Sequence, residues 1–68
     1  MNREETLGQR LRRLRQAAEL TQVDLAERAG TTQDHISDLE RDEKTPGLDL
    51  CRRLAKACKV PVGELIGD

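Results

Sequence analysis

The sequence contains no phenylalanine, tyrosine or tryptophan. A core must therefore come from Leu, Ile, Val, Ala and Cys. The same absence bears on partners. Single strands and RNA loops are usually held by bases stacked on aromatic rings, so the composition favours duplex over single-stranded nucleic acid. Long apolar runs are missing too. Nothing approaches the roughly 20 residues of a membrane-spanning helix or the apolar stretch of a secretion signal, and the expected location is the cytoplasm. Cysteine is confined to Cys51 and Cys58. On one predicted helix they stand about 10.5 Å apart in rise, beyond the Cα separation of about 7 Å that a disulfide spans. They read as small buried hydrophobes in a reducing compartment. His35 is the single histidine. With Asp38 three residues on, it supplies too few ligands for a metal site. No nucleophile, base and orienting third group can be placed together either. Neither metal, cofactor nor enzymatic activity is expected. An excess of positive charge is also lacking, since the formal net charge is −1.

What is present is helical patterning. The 68 residues predict one domain spanning 1–68. A core of this size rarely supplies more than about 3–5 kcal/mol. Leu7, Leu11, Leu14 and Ala18 form one apolar stripe, predicting a first helix from Glu4 to Ala18. Arg12 and Arg13 fall on its solvated side, and Arg15 lies beside the stripe. A second helix is predicted over Gln22–Ala29, with Leu25, Ala26 and Ala29 inward, and a third over Gln33–Arg41. Asp42–Gly47 reads as a loop, with Pro46-Gly47 as its turn signal. A fourth helix over Leu48–Cys58 turns Leu50, Cys51, Leu54, Ala55 and Cys58 inward. Pro61 suits the opening of a short fifth helix over Val62–Ile66, which Gly67 ends.

Residues 20–41 carry the functional signal. Thr21 and Thr32 are good N-cap residues, because a threonine oxygen accepts from the free amides of a first helical turn. Gly30 stands between the two helices, where the backbone needs a left-handed residue. Ala26 is small enough for close helix approach. Ile36 and Leu39 share one face of the third helix. Helix, glycine-containing turn and helix is the arrangement that places a second helix in the DNA major groove.

These residues resemble the phage-repressor-like helix-turn-helix family (Cro-type, xenobiotic-response-element). The matching positions are Leu20, Thr21, Gln22, Leu25, Ala26, Gly30, Thr32, Gln33, Ile36, Leu39, Glu40 and Arg41. Pro46, Leu54, Ala55, Val60 and Leu65 follow, so the likeness runs over about residues 7–66. It implies an all-α fold of five helices like that of lambda repressor, with the helix-turn-helix at helices 2 and 3. It further implies a bacterial or phage transcriptional regulator, most often a repressor, that binds double-stranded DNA as a homodimer on a palindromic operator. In the family a buried ion pair is placed where Arg15 and Glu40 stand.

Candidate roles follow residue by residue. Gln33 opens the third helix, and its amide can pair with adenine N6 and N7. Asp34 and Asp38 can accept from cytosine N4, and Ser37 shares their outward face. Gln22 and Thr32 open their helices, where free amides favour a phosphate. Arg41 and Lys44 add charge just past the third helix, and His35 flanks it, so these three are further phosphate candidates. Val60, Pro61, Val62, Leu65 and Ile66 form an apolar C-terminal segment, the expected dimer interface.

The charge distribution runs against this picture. Residues 1–15 sum to +3, residues 16–43 to −6 and residues 44–68 to +2. The segment expected to meet DNA is the acidic one, and phosphates repel carboxylates. Two other classes therefore stay open: an antitoxin-type regulator with a protein partner, and a protein-interaction module that keeps the fold without binding DNA.

Overall fold

The computed structural model of the chain describes residues 5–67. Among them five helices form and no strand: α1 (Leu7–Ala17), α2 (Gln22–Ala29), α3 (Gln33–Glu40), α4 (Leu48–Ala57) and α5 (Val62–Ile66). The order and type of the elements are those expected, and the all-α arrangement of five helices holds among the described residues. Among the described residues no helix is long and apolar enough to cross a membrane.

The start of α1 differs from expectation. The predicted start at Glu4 lies outside the described residues, and Glu5 and Thr6 are not helical. Thr6 is the N-cap of a capping box: its hydroxyl accepts from the Gln9 amide, and the Gln9 side chain accepts from the Thr6 amide. This reciprocal pair satisfies two free donors and sets the boundary. A Thr followed three residues on by Gln is visible in the sequence, and it outranks the apolar stripe as a start signal. The same device opens α2, between Thr21 and Asp24. There the Thr21 amide, donating to the Asp24 carboxylate, holds that group below its ordinary pKa.

The helix ends share a second device. Gly30 is left-handed at φ 73°, as expected, and the next amide, of Thr31, returns to the Ala26 carbonyl at 2.9 Å. Glu19, Asp42 and Lys59 adopt the same left-handed turn, at φ 60°, 61° and 62°. The following amides of Leu20, Glu43 and Val60 each return to a carbonyl five residues back. These amide bonds satisfy carbonyls that the helix leaves open.

The inner faces meet as the patterning requires. Leu11, Leu25, Ile36, Leu39, Leu54 and Leu65 are almost fully buried, with Cys51 and Cys58 among them. Both cysteines are free thiols, and burial pushes their pKa values up. The small α2, with Ala26 and Ala29 inward, packs on both α3 and α4. Helix α1 packs on α3 and α5, and α4 on α5.

One close approach was not read from the sequence. Gly8 is buried where α1 crosses the end of α3. A Cβ there would lie 2.5 Å from the Leu39 carbonyl oxygen and 2.6 Å from that of Glu40. Both obstacles are backbone, so neither can swing aside. The Gly8 amide donates to Asp42 Oδ1 at 2.9 Å, and the Thr6 hydroxyl donates to Asp42 Oδ2. Asp42 therefore binds the N-terminus of α1 from the far end of α3.

Gly8→Ala is expected to destabilise by about 1–3 kcal/mol, the usual cost of overpacking. In thermal unfolding followed by circular dichroism, each kcal/mol corresponds to roughly 4–8 °C for a chain of this size. Gly47→Ser, at the N-cap of α4 with nothing within 4 Å of its Cβ, is expected to hold or raise the melting temperature. An unchanged melting temperature for Gly8→Ala would remove the close approach from the account.

Candidate nucleic-acid interface

The turn between α2 and α3 determines how α3 is presented. Gly30 reverses the chain, and two residues later the Thr32 hydroxyl accepts from the His35 amide at 3.2 Å, starting α3. Ile36 and Leu39 anchor the inner face of α3 at 0% and 2% exposure. The outer face then carries Gln33 and Asp34, both exposed, and one turn later Ser37 and Asp38, both half-buried. The four residues expected to read bases thus lie together on one surface. His35 is half-buried on the flank, and Thr32 is exposed at the helix opening. Among the described residues no group of His, Cys, Asp and Glu gathers that could hold a metal ion.

Beneath this face lies a charged cluster. Arg15 Nε stands 2.6 Å from Glu40 Oε2, with the two side chains 11% and 5% exposed. Arg15 Nη2 donates to Glu40 Oε1 at 3.2 Å, and Nη1 donates to the Leu20 carbonyl at 2.9 Å. The Gln22 side-chain amide donates to the same Glu40 Oε1 at 3.1 Å. Side chains from α1 and α2 therefore converge on the one carboxylate that α3 supplies, and Arg15 also ties in the α1–α2 link. Gln22 was expected at a phosphate, yet its NH2 group is turned toward this pair.

Arg41 is also engaged within the protein. Its Nη1 donates to Ser37 Oγ at 3.0 Å, and its Nη2 donates to Asp38 Oδ1 at 2.8 Å and to Glu43 Oε1 at 3.3 Å. Lys44 Nζ lies 3.8 Å from Asp38 Oδ2. Lys44 is otherwise solvent-facing, at 60% side-chain exposure.

The expected dimer surface needs correction at one residue. Leu65 is 1% exposed and belongs to the core, because α5 packs against α1 and α4. The Leu65 carbonyl also accepts from Arg10 Nη1 at 2.9 Å, which ties α5 to α1. Val60 and Val62 are half-buried against the core. Ile66, at 44% exposure, is the large apolar side chain of this segment that faces outward.

Comparison with known proteins agrees with the fold. A family model described as helix-turn-helix matches residues 11–65. The chain is 36% identical over 63 residues to the immunity repressor protein of Bacillus phage phi105, covering 93% of this chain and 44% of that protein. It is 38% identical over 58 residues to an uncharacterised HTH-type transcriptional regulator of Sinorhizobium fredii, covering 85% of this chain and 30% of that one. The chain thus spans less than half the length of these relatives. Among solved structures, the restriction-modification controller protein C.AhdI of Aeromonas hydrophila superposes with a TM-score of 0.84 at 36% identity. That match covers 87% of this chain and 89% of the controller. The P22 c2 repressor, solved with a synthetic operator, superposes with a TM-score of 0.81 at 30% identity, covering 91% and 96% of the two chains. The chain belongs to the phage-repressor-like helix-turn-helix family.

Arg15→Ala leaves Glu40 buried without its partner and is expected to cost about 3–5 kcal/mol. Arg12→Ala, on the exposed side of α1, should stay within about 0.5 kcal/mol of the parent. The joint change Arg15→Met with Glu40→Leu should recover part of the loss, because no unpaired charge remains. Urea unfolding of the four proteins provides the comparison. Equal midpoints for the Arg15 and Arg12 variants would reject a structural role for the pair.

Proposed function

We propose that this chain is a sequence-specific duplex DNA-binding transcriptional regulator, cytoplasmic, acting as a repressor by operator occupancy. The observation that carries the reading is the two-sided character of α3. Its inner face is locked by Ile36, Leu39 and Glu40. Its outer face offers Gln33, Asp34, Ser37 and Asp38, whose side chains match the hydrogen-bonding edges of bases in the major groove. The likeness to a phage immunity repressor and to the operator-bound P22 c2 repressor supports it. In this reading residues 1–68 act as one unit. Gln33 reads adenine, and Thr32, the backbone amide of Gln22 at the opening of α2, His35 and Lys44 line the phosphate rim.

The acidic balance of residues 16–43 is less of an obstacle than its sum implies. Glu40 is neutralised by Arg15, and Asp24 sits at the N-terminus of α2 as part of its cap. Asp42 binds the N-terminus of α1, where a helix dipole favours negative charge. Asp38 and Glu43 contact Arg41. Among the described residues, Asp34 is the carboxylate on the outer face of α3 for which no such partner is seen.

Selection of bound sites from random duplexes, followed by salt titration, tests the reading. Lys44→Ala should weaken every duplex alike and lower the salt slope by roughly one counterion. Gln33→Ala should lose about 1–3 kcal/mol on the preferred site and relax one position. Asp34→Asn should alter the preferred sequence if the carboxylate reads cytosine. A rise in affinity for all duplexes would mean that it only repels phosphates. Absence of salt-dependent binding by the parent would reject the DNA reading in favour of a protein partner.

A homodimer on two half-sites about one helical turn apart completes the proposal, since single modules bury little surface on DNA. The apolar surface available for it is Ile66 with Pro61 and the exposed edges of Val60 and Val62. Sedimentation equilibrium should show self-association, at least on operator DNA, and Ile66→Glu should weaken it. A strict monomer on one non-palindromic site would overturn the dimer while leaving the regulator reading standing.

A further inference from the structure

We propose that Arg41 does not grip phosphate but positions Asp38 and Ser37, so that α3 presents a paired acceptor and donor selecting a C·G base pair. The inference rests on the DNA-binding reading above.

The argument starts from which lone pairs and protons are already used. Arg41 Nη2 occupies Asp38 Oδ1 at 2.8 Å. Lys44 Nζ, at 3.8 Å from Oδ2, is too far for a hydrogen bond. Asp38 therefore keeps Oδ2 available as an acceptor, with two cations beside it to offset its charge. Arg41 Nη1 meanwhile donates to Ser37 Oγ at 3.0 Å. A hydroxyl that has accepted on one side is left with its own proton to donate. One guanidinium thus orients both groups, Asp38 as an acceptor and Ser37 with its proton free to donate.

A C·G pair answers that pattern in the major groove. Cytosine offers its N4 amino group to Asp38, and guanine offers N7 and O6 to a hydroxyl donor. Adenine also has an amino group, but its N7 lone pair lies beside it and would face the carboxylate. Thymine presents the O4 acceptor and repels Asp38. The carboxylate therefore prefers cytosine on electrostatic grounds.

Arg41 is poorly free to serve a phosphate at the same time. Its two terminal nitrogens already serve three acceptors, on Ser37, Asp38 and Glu43. Moving to a phosphate would leave the Asp38 and Glu43 charges less compensated beside the DNA backbone. The planar fork also explains why arginine fits the position, since a lysine ammonium cannot bridge Ser37 and Asp38 in one plane.

A double-mutant cycle on DNA decides the matter. The parent, D38N, R41A and R41A/D38N are titrated against the duplex the parent selects. A second duplex carries thymine in place of the cytosine whose preference D38N relaxes. The parent should separate the two duplexes by about tenfold or more. D38N and R41A should each lose most of that discrimination, and R41A should add little in the D38N background. R41K, which keeps the charge without the fork, should discriminate as poorly as R41A. Thermal unfolding checks that each variant folds, as expected where the Arg41 side chain is 57% exposed and the Asp38 change to Asn keeps its shape. The proposal is overturned if R41A weakens both duplexes by one factor, in both backgrounds, with discrimination intact. Full discrimination by R41K overturns it as well. Failure of the parent to bind any duplex would instead reject the DNA reading on which the proposal rests.

Discussion

The buried pair between Arg15 and Glu40 is the constraint on which the rest of the candidate recognition surface depends. Glu40 closes α3, and its carboxylate takes hydrogen bonds from α1 through Arg15 and from α2 through Gln22. Arg15 also holds the carbonyl of Leu20, in the link that leads into α2. Apolar contacts among leucines tolerate small slides and rotations, because dispersion and area burial are not directional. A carboxylate with two oxygens and three donors tolerates far less. Such a buried pair need not add net stability compared with a hydrophobic substitute, but it fixes geometry. In this fold it fixes the end of α3, and with it the direction in which Gln33, Asp34, Ser37 and Asp38 project.

The same region resolves an apparent contradiction in the charge. Eight acids fall within residues 16–43, against Arg28 and Arg41. Asp24, Asp38, Glu40, Asp42 and Glu43 are each hydrogen-bonded inside the protein. They cap helices, pair with arginines or link α1 to α3. A charge sum along a segment treats these groups as if all faced the solvent. The field at the outer surface of α3 is set instead by Asp34, by the neutralised Asp38 and by Arg41 and Lys44 beside them.

A second connection runs between the start of α1 and the end of α3. Asp42 adopts a left-handed backbone at φ 61° and turns its carboxylate onto the Gly8 amide and the Thr6 hydroxyl. Gly8 permits this because its missing Cβ lets α1 approach the carbonyls of Leu39 and Glu40. Together with the Arg15 pair it clamps α3 at its C-terminal end, while Thr32 caps its beginning. The half-turn that carries Arg41 and Lys44 is thus part of the framework as well as part of the candidate interface.

The sequence by itself determined the elements and most of the core. The spacing of Leu11, Leu14, Leu25, Ile36, Leu39 and Leu54, the caps at Thr21 and Thr32, and the turn at Gly30 are local signals. They act within one or two helical turns, so they can be read without knowing the fold. The pairing of Arg15 with Glu40 was legible only through family resemblance, since 25 residues separate them. Tertiary structure alone decided the remainder. It buried Leu65 rather than offering it to a partner, because packing on α1 and α4 used that face of α5. It brought Asp42 to Gly8 across 34 residues, and it turned the Gln22 side chain onto Glu40. The physical reason is common to all three. Periodicity and capping record which face of a helix is apolar and where it begins. The partner of a charged or polar side chain depends on which other helix arrives within about 3 Å of it, a distance that the packing of the whole chain sets.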